Sequence, residues 1–291
     1  MILITGATGH LGGATLNALL KKAQPSEFSV LVRNAKKAEA IAAKGVEVRI
    51  GDYNNAESLD AAFKDVDKLF FVSSDDLAAR MEQHANVVNA AKRAGVKHIV
   101  YTSVLKQPED PFFTAAVDHH KTEKLIDESG ISYTFLRNAF YFETLPQLLG
   151  NVMESGEIAF PAGEGRLSNA SRLDMAEAAA NVLTQPAHEN KIYEIASSTS
   201  VSFAEIAEIL SELTTEQIEY VDIPLEDFTA YLESVGLPPE VIKITAGIGN
   251  AVKHGQLGLT SLDLETLLGR KPLTIREYLK ETYLDQAAAT A

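Results

Sequence analysis

Three glycines, Gly6, Gly9 and Gly12, stand directly behind the apolar run "MILI" and directly ahead of "ATLNALLKK". At a strand-to-helix turn Gly6 can take backbone angles that a side chain forbids. Gly9 lets the main chain approach a pyrophosphate, and Gly12 lets the helix sit close to the sheet. The helix N-terminus adds unpaired amides and partial positive charge facing the anion. A tight turn with no ligand is the alternative. A strand–turn–helix opening a βαβ series favours dinucleotide binding, with Gly6, Thr8, Gly9, His10, Leu11 and Gly12 as the cradle. The spacing is G-x-x-G-x-x-G, one residue longer than the G-x-G-x-x-G fingerprint.

The rest of the chain continues the series. "FSVLV", "VEVRI", "KLFFVSS", "VKHIVYTS" and "ISYTFLRN" are strand-like, and helical stretches separate them. An Ala/Lys helix is expected through Lys44, a helix capped by Asn54 with Glu57 before "SLDAAF", one over residues 79–94 and one near 117–128. Apolar runs without polar alternation indicate strands buried on both faces, hence a parallel sheet of right-handed βαβ units. The regularity fades after about residue 140. There "SRLDMAEAAANVL" reads as a helix capped by Asp174 and Glu177, "KIYEIA" as a strand, and residues 203–213 as a helix. The expected fold is α/β: a Rossmann-type doubly wound parallel sheet over residues 1–140 and a smaller, mixed substrate lobe over 141–291. The boundary is soft, and part of 170–196 is expected to return to the sheet.

Composition excludes several alternatives. The 291 residues carry 26 basic and 40 acidic side chains, a formal charge of −14, which disfavours nucleic acid and anionic lipid as partners. There are no cysteines, so no disulfide or thiolate chemistry. No apolar run reaches bilayer-spanning length and no leader-like start is present, so a cytoplasmic protein without membrane contact is expected. The seven histidines show no metal-ligand spacing, and no metal is expected. Oligomeric state stays open.

The stretches "TGATGHLGG", "LVRN", "GDY", "GVKHIVYTS", "HKTEKLI" and "YTFLRN" together resemble the short-chain dehydrogenase/reductase superfamily in its NmrA-like, atypical branch. Within it the chain is similar to bacterial NAD(P)H:quinone oxidoreductases and triphenylmethane reductases, including the C-terminal "LLGRKPLTIREYL". The resemblance implies a coenzyme-dependent hydride donor acting on a quinone or similar conjugated aromatic. A regulatory NADP(H)-binding sensor without turnover is the competing implication, and a nucleotide-sugar epimerase a third.

Where NAD-selective proteins offer a carboxylate after the second strand, this chain offers Arg33, with Lys36 and Lys37 beyond. A guanidinium can fork onto a 2′-phosphate, so NADPH is expected over NADH. By resemblance Asp52 and Tyr53 flank the adenine. Ser73 and Ser74, with Thr102 and Ser103, follow strand ends along the coenzyme.

None of the nine tyrosines is followed by lysine four residues on, so the usual Tyr-x-x-x-Lys acid pair is missing; Val117 stands four before Lys121. Acceptors that stabilise an incoming hydride themselves need no such acid. The candidate catalytic groups are His119, matching by resemblance a histidine before a "TE" pair, and Tyr141. His119 either orients the acceptor or nicotinamide, or is a half-buried helix histidine. Asp118 replaces a lysine often found before it. Phe140, Tyr141 and Phe142, at the carboxyl end of the sixth strand, are candidate acceptor-binding residues, with Phe112, Phe113 and Phe160 as further walls of a flat apolar slot.

Overall fold

The computed structural model describes residues 1–285 apart from Gln107 and Asp110. Its centre is a seven-stranded, wholly parallel sheet. The strands are β1 (Ile2–Ile4), β2 (Phe28–Val32), β3 (Glu47–Ile50), β4 (Lys68–Phe71), β5 (His98–Val104), β6 (Ser132–Asn138) and β7 (Lys191–Ile195). Their spatial order is β7-β6-β5-β4-β1-β2-β3, so the direction of winding reverses between β1 and β4. A crevice opens there at the carboxyl ends of the strands.

Successive residues of the central strands serve opposite faces, as a period of two requires. Ile4, Phe70 and Val100 pack beneath α1 (His10–Leu19) and α5 (Arg172–Thr184). Leu3, Leu69, Phe71, Ile99 and Tyr101 pack beneath α2 (Ala56–Ala62), α3 (Arg80–Ala94) and α4 (Ala115–Glu128). Both faces are therefore covered, which is why these strands are mostly apolar.

Residues 172–195 pass back onto this sheet. The helix α5 is hidden along most of its length through Met175, Ala176, Ala178, Ala179 and Ala180, and β7 pairs in parallel with β6 from Lys191↔Thr134 to Ile195↔Asn138. Much of the remaining chain builds a separate apolar cluster around Phe142, Phe160, Phe203, Phe228 and Val252, with α6 (Phe203–Thr214), α7 (Leu225–Ser234) and α8 (Pro239–Lys253) about it.

Local chemistry differs from expectation at three places. After β2, Asn34 accepts from the amide of Lys36 and starts a 3-10 turn, Ala35–Ala38, which leads into only a short helix, Glu39–Ala42. The cap of α2 is Asn55, not Asn54: its side chain accepts from Ser58 N at 3.1 Å. The cap of α5 is Ser171, not Asp174 with Glu177. Buried Asp174 instead holds Arg270 and the amide of Leu273, each at 2.7 Å, tying the C-terminal segment to α5.

Candidate active site

The glycine turn leaves β1 as the geometry demands. Gly6 has φ +62°, in the left-handed region that favours glycine. A Cβ on Gly12 would lie 2.4 Å from Gly6 O, so nothing larger than glycine lets α1 start so close to the loop. Gly9 occupies the N-cap position without a side chain to cap the helix, and no acid stands in the first turn. Among the described residues the amides of His10, Leu11 and Gly12 have no hydrogen-bond partner within the chain. An uncapped helix end of this kind binds anions.

These amides open onto a cleft of about 350 Å³. It gathers Gly6, Thr8, Gly9, His10, Leu11 and Gly12 with Arg33, Asp52, Tyr53, Ser73 and Ser74. Arg33 is exposed on the cleft wall. Tyr53 is anchored by donating to Val72 O at 3.1 Å. The cleft also takes Asp75, Asp76 and Gln83, which sequence reasoning missed; Gln83 lies on α3 and receives the Ser74 hydroxyl proton.

A second cavity, of about 250 Å³ and mostly apolar, adjoins the first, and Ser73 lines both. Its walls are Thr102, Ser103, Val104, Leu105, Phe113, His119, Asn138, Ala139, Phe140, Tyr141, Thr144 and Leu257. Thr102 and Ser103, expected along the coenzyme, line this cavity and not the glycine cleft, because β5 ends one strand further from β1 than β4 does. Thr102 still reaches Ser73, whose amide donates to its hydroxyl at 2.9 Å. Phe142 does not line the cavity. It starts a 3-10 turn that points the ring inward, stacked 5.1 Å from Tyr278. Phe160 is likewise core, stacked on Phe203, and Phe112 lies exposed against His254. Of the six aromatics proposed for the slot, Phe113, Phe140 and Tyr141 face it. Lys121 is exposed on α4 and absent from its walls. A larger depression of about 620 Å³ at the amino-terminal edge of the sheet, around Met1, Lys22 and Lys68, brings no anion cradle and no aromatic slot together.

A buried polar relay runs between cleft and cavity, and its proton positions can be deduced. Ser74 N donates to His84 Nε2 at 3.0 Å, so the His84 proton sits on Nδ1 and goes to Thr122 Oγ1 at 2.7 Å. Thr122 in turn donates to Asp118 O at 2.7 Å. Tyr101 OH lies 2.9 Å from His119 Nδ1. Burial, above all, raises the Tyr101 phenol far beyond its ordinary range, so it keeps its proton. Thr122 oxygen already accepts from His84, which leaves His119 Nδ1 to take the Tyr101 hydrogen. His119 then carries its own hydrogen on Nε2. Burial, and next the Arg80 charge, push His119 down to about 3; the same two causes push His84 to about 3. Both imidazoles are neutral at physiological pH.

The other polar walls are similarly set. Ser103 donates to Glu123 at 2.6 Å, so toward the cavity it offers lone pairs only. Glu123 is gripped by Arg137 at 2.9 and 2.7 Å, and the same guanidinium holds Glu194 at 3.0 Å. The Tyr141 phenol is raised, chiefly by burial and against the Arg172 charge, and stays protonated. Among the described residues no group of three or more histidines or acids is placed to hold a metal, and no helix is long and apolar enough to cross a membrane.

The match to known families covers nearly all of this architecture: residues 1–279 fit the NmrA-like family. The chain belongs to that family. This NmrA-like chain is 41% identical to Citrobacter sp. triphenylmethane reductase, whose crystal structure holds NADP(H), with a TM-score of 0.91 over 97% of this chain and 99% of that one. It is 38% identical to the NADPH-dependent quinone oxidoreductase of Escherichia coli, crystallised with NADPH, again with a TM-score of 0.91, over 97% and 100% of the two chains. It is 33% identical to the NAD(P)H azoreductase of Xenophilus azovorans over 82% of each chain.

Proposed function

We infer that this chain is an NADPH-dependent reductase that passes a hydride to a quinone or similar conjugated aromatic acceptor. The observation that carries this reading is the meeting of an uncapped glycine-rich helix end and a protonated-donor cavity at one residue, Ser73. Its relatives among quinone, azo-dye and triphenylmethane reductases support the same chemistry.

The residues fit the coenzyme. The bare amides of His10, Leu11 and Gly12 would take the pyrophosphate, Arg33 a 2′-phosphate, Asp52 and Tyr53 the adenine side, and Ser73 and Ser74 the central portion. When bound, the reduced nicotinamide supplies the hydride. The chain supplies alignment and polarity. Phe113, Phe140 and Tyr141 make the slot for a flat ring. His119 Nε2–H and the Tyr141 hydroxyl, beside the Asn138 amide, would donate to an acceptor oxygen. Neither is acidic enough to surrender its proton at neutral pH, so a reduced acceptor that needs a proton takes it from water. We place the coenzyme unit in residues 1–140 and the acceptor lobe in 141–291, less the segment 172–195 that rejoins the sheet.

The test is acceptor-dependent oxidation of NADPH, followed by loss of its near-ultraviolet absorbance, against a panel of small quinones, azo dyes and triphenylmethane dyes. Turnover with at least one class is expected. Tight NADPH binding with no acceptor-dependent rate across the panel would instead make this chain a coenzyme-binding regulator.

A further inference from the structure

Two arginines stand near the acceptor cavity, one against its Tyr141 wall and one behind Ser74 of the adjoining cleft. Arg172 opens α5, and its guanidinium carbon lies 4.6 Å from the centre of the cavity-lining Tyr141 ring. Arg80 opens α3 and is only 6% exposed. Its Nε donates to Ser74 O at 2.9 Å, while one of its terminal nitrogens is buried with no hydrogen-bond partner. Its charge reaches His84, Tyr101 and cavity-lining His119. Among the described residues neither guanidinium forms an ion pair.

The nearby acids are turned to other partners or to water: Asp75 and Asp76 are exposed, and Asp76 accepts from the Ala79 amide at 3.1 Å. Arg137 grips Glu123 twice and holds Glu194 as well. Glu143 accepts from the Arg172 amide at 3.0 and 3.2 Å, at the start of α5, where the helix dipole counters its charge. Asp118 is half-exposed on α4 and screened by water. Cations that are buried or half-buried and outside any ion pair stabilise negative charge that develops beside them.

We propose that the acceptor cavity selects by charge: Arg80 and Arg172 favour uncharged quinones, whose reduction creates an anion within it, over cationic dyes, which enter charged and leave neutral. This rests on the reductase reading above. With a quinone, a hydride, the hydrogen together with the electron pair of its C–H bond, would pass from the bound reduced coenzyme to the acceptor. The nicotinamide is oxidised, the quinone becomes a hydroquinone monoanion, and one proton from water completes the hydroquinone. Negative charge thus grows beside the two guanidiniums during transfer. A cationic dye meets the same field as a repulsion on binding. At an effective dielectric of about 20, one unit charge within roughly 10 Å of an ion changes its affinity on the order of tenfold.

Two measurements test this on the full-length protein. In the first, equilibrium binding without coenzyme is compared for 1,4-naphthoquinone, for the anion of 2-hydroxy-1,4-naphthoquinone and for a cationic triphenylmethane dye. The anion is expected to bind more tightly than the uncharged quinone and the dye least tightly. In Arg172→Gln and Arg80→Met the anion's advantage falls about tenfold, and Arg80→Lys restores it. In the second, the ratio of kcat/KM for naphthoquinone over the dye falls about tenfold in the same two variants. Unchanged preferences in Arg172→Gln, whose side chain is half-buried and in no ion pair among the described residues, would overturn the proposal even if Arg80→Met fails to fold. So would a wild-type protein that prefers the cationic dye in the binding measurement. A protein that reduces no acceptor yet shows the charge preference would sink the reductase reading and leave the binding selectivity standing.

Discussion

Arg33 follows β2 on the wall of the glycine cleft, exposed, where a carboxylate would repel a 2′-phosphate. Arg33→Asp is expected to lower NADPH affinity relative to NADH by about tenfold to a hundredfold, or roughly 1.4–2.7 kcal/mol. Calorimetric titration of the two coenzymes measures it, and an unchanged ratio removes Arg33 from the phosphate site. Arg33 could be read from the sequence because a strand end is defined by the residues beside it. The same holds for the six residues of the glycine cradle. Arg80, Gln83, Tyr101 and Arg172 could not be read so. Their roles come from contacts across the fold, such as Tyr101 with His119 or Arg172 over Tyr141. The run Phe140 to Phe142 shows the limit most sharply: three adjacent aromatics divide between cavity and core only because the chain turns into a 3-10 helix at Phe142.

At the scale of elements, the approach of α1 to the loop after β1 separates packing from ligand binding. A methyl group on Gly12 would meet Gly6 O at 2.4 Å and Gly6 C at 2.6 Å, both backbone atoms that cannot swing away. Gly12→Ala should therefore cost about 1–3 kcal/mol of stability, read as a lower urea midpoint. On Gly9 the nearest atom is Gly6 O at 3.3 Å, and the backbone there is extended, at φ −93° and ψ 179°. Gly9→Ala should fold with little loss of stability but place its methyl group in the cradle, weakening coenzyme binding. Equal stability losses in the two variants would contradict this division of roles. The strands themselves were legible because burial on both faces leaves mostly apolar residues in the central ones. The segment after Asn34 was not, since an Ala/Lys composition suits a long helix while the Asn34 side chain selects a tighter turn. The return of β7 to the sheet left only a faint trace, because the small residues that let α5 sit flush also suit any buried helix.

Across the whole molecule, two effects of opposite sign should govern stability as the pH falls. The formal charge of −14 diminishes on acidification, which relieves self-repulsion and stabilises the fold. The buried histidines work against it. His84 and His119 are held at about 3 and His98 at about 4 in the folded state, below the ordinary value near 6.5 that they regain on unfolding. Above pH ~6.5 both states keep them neutral and they add no pH dependence. As the pH falls from there toward about 3, the unfolded chain binds protons that the folded chain refuses, and stability is lost. Each histidine contributes a slope approaching about 1.4 kcal/mol per pH unit. Salt tells the two effects apart, because it screens surface repulsion but not buried imidazoles. At high salt, urea midpoints should fall between pH 6 and pH 5, and His119→Phe should fall less steeply than wild type by close to one proton's worth. Parallel slopes for the two proteins would mean that His119 is not held neutral in the folded state, and that the donor assigned to its Nε2 is misplaced.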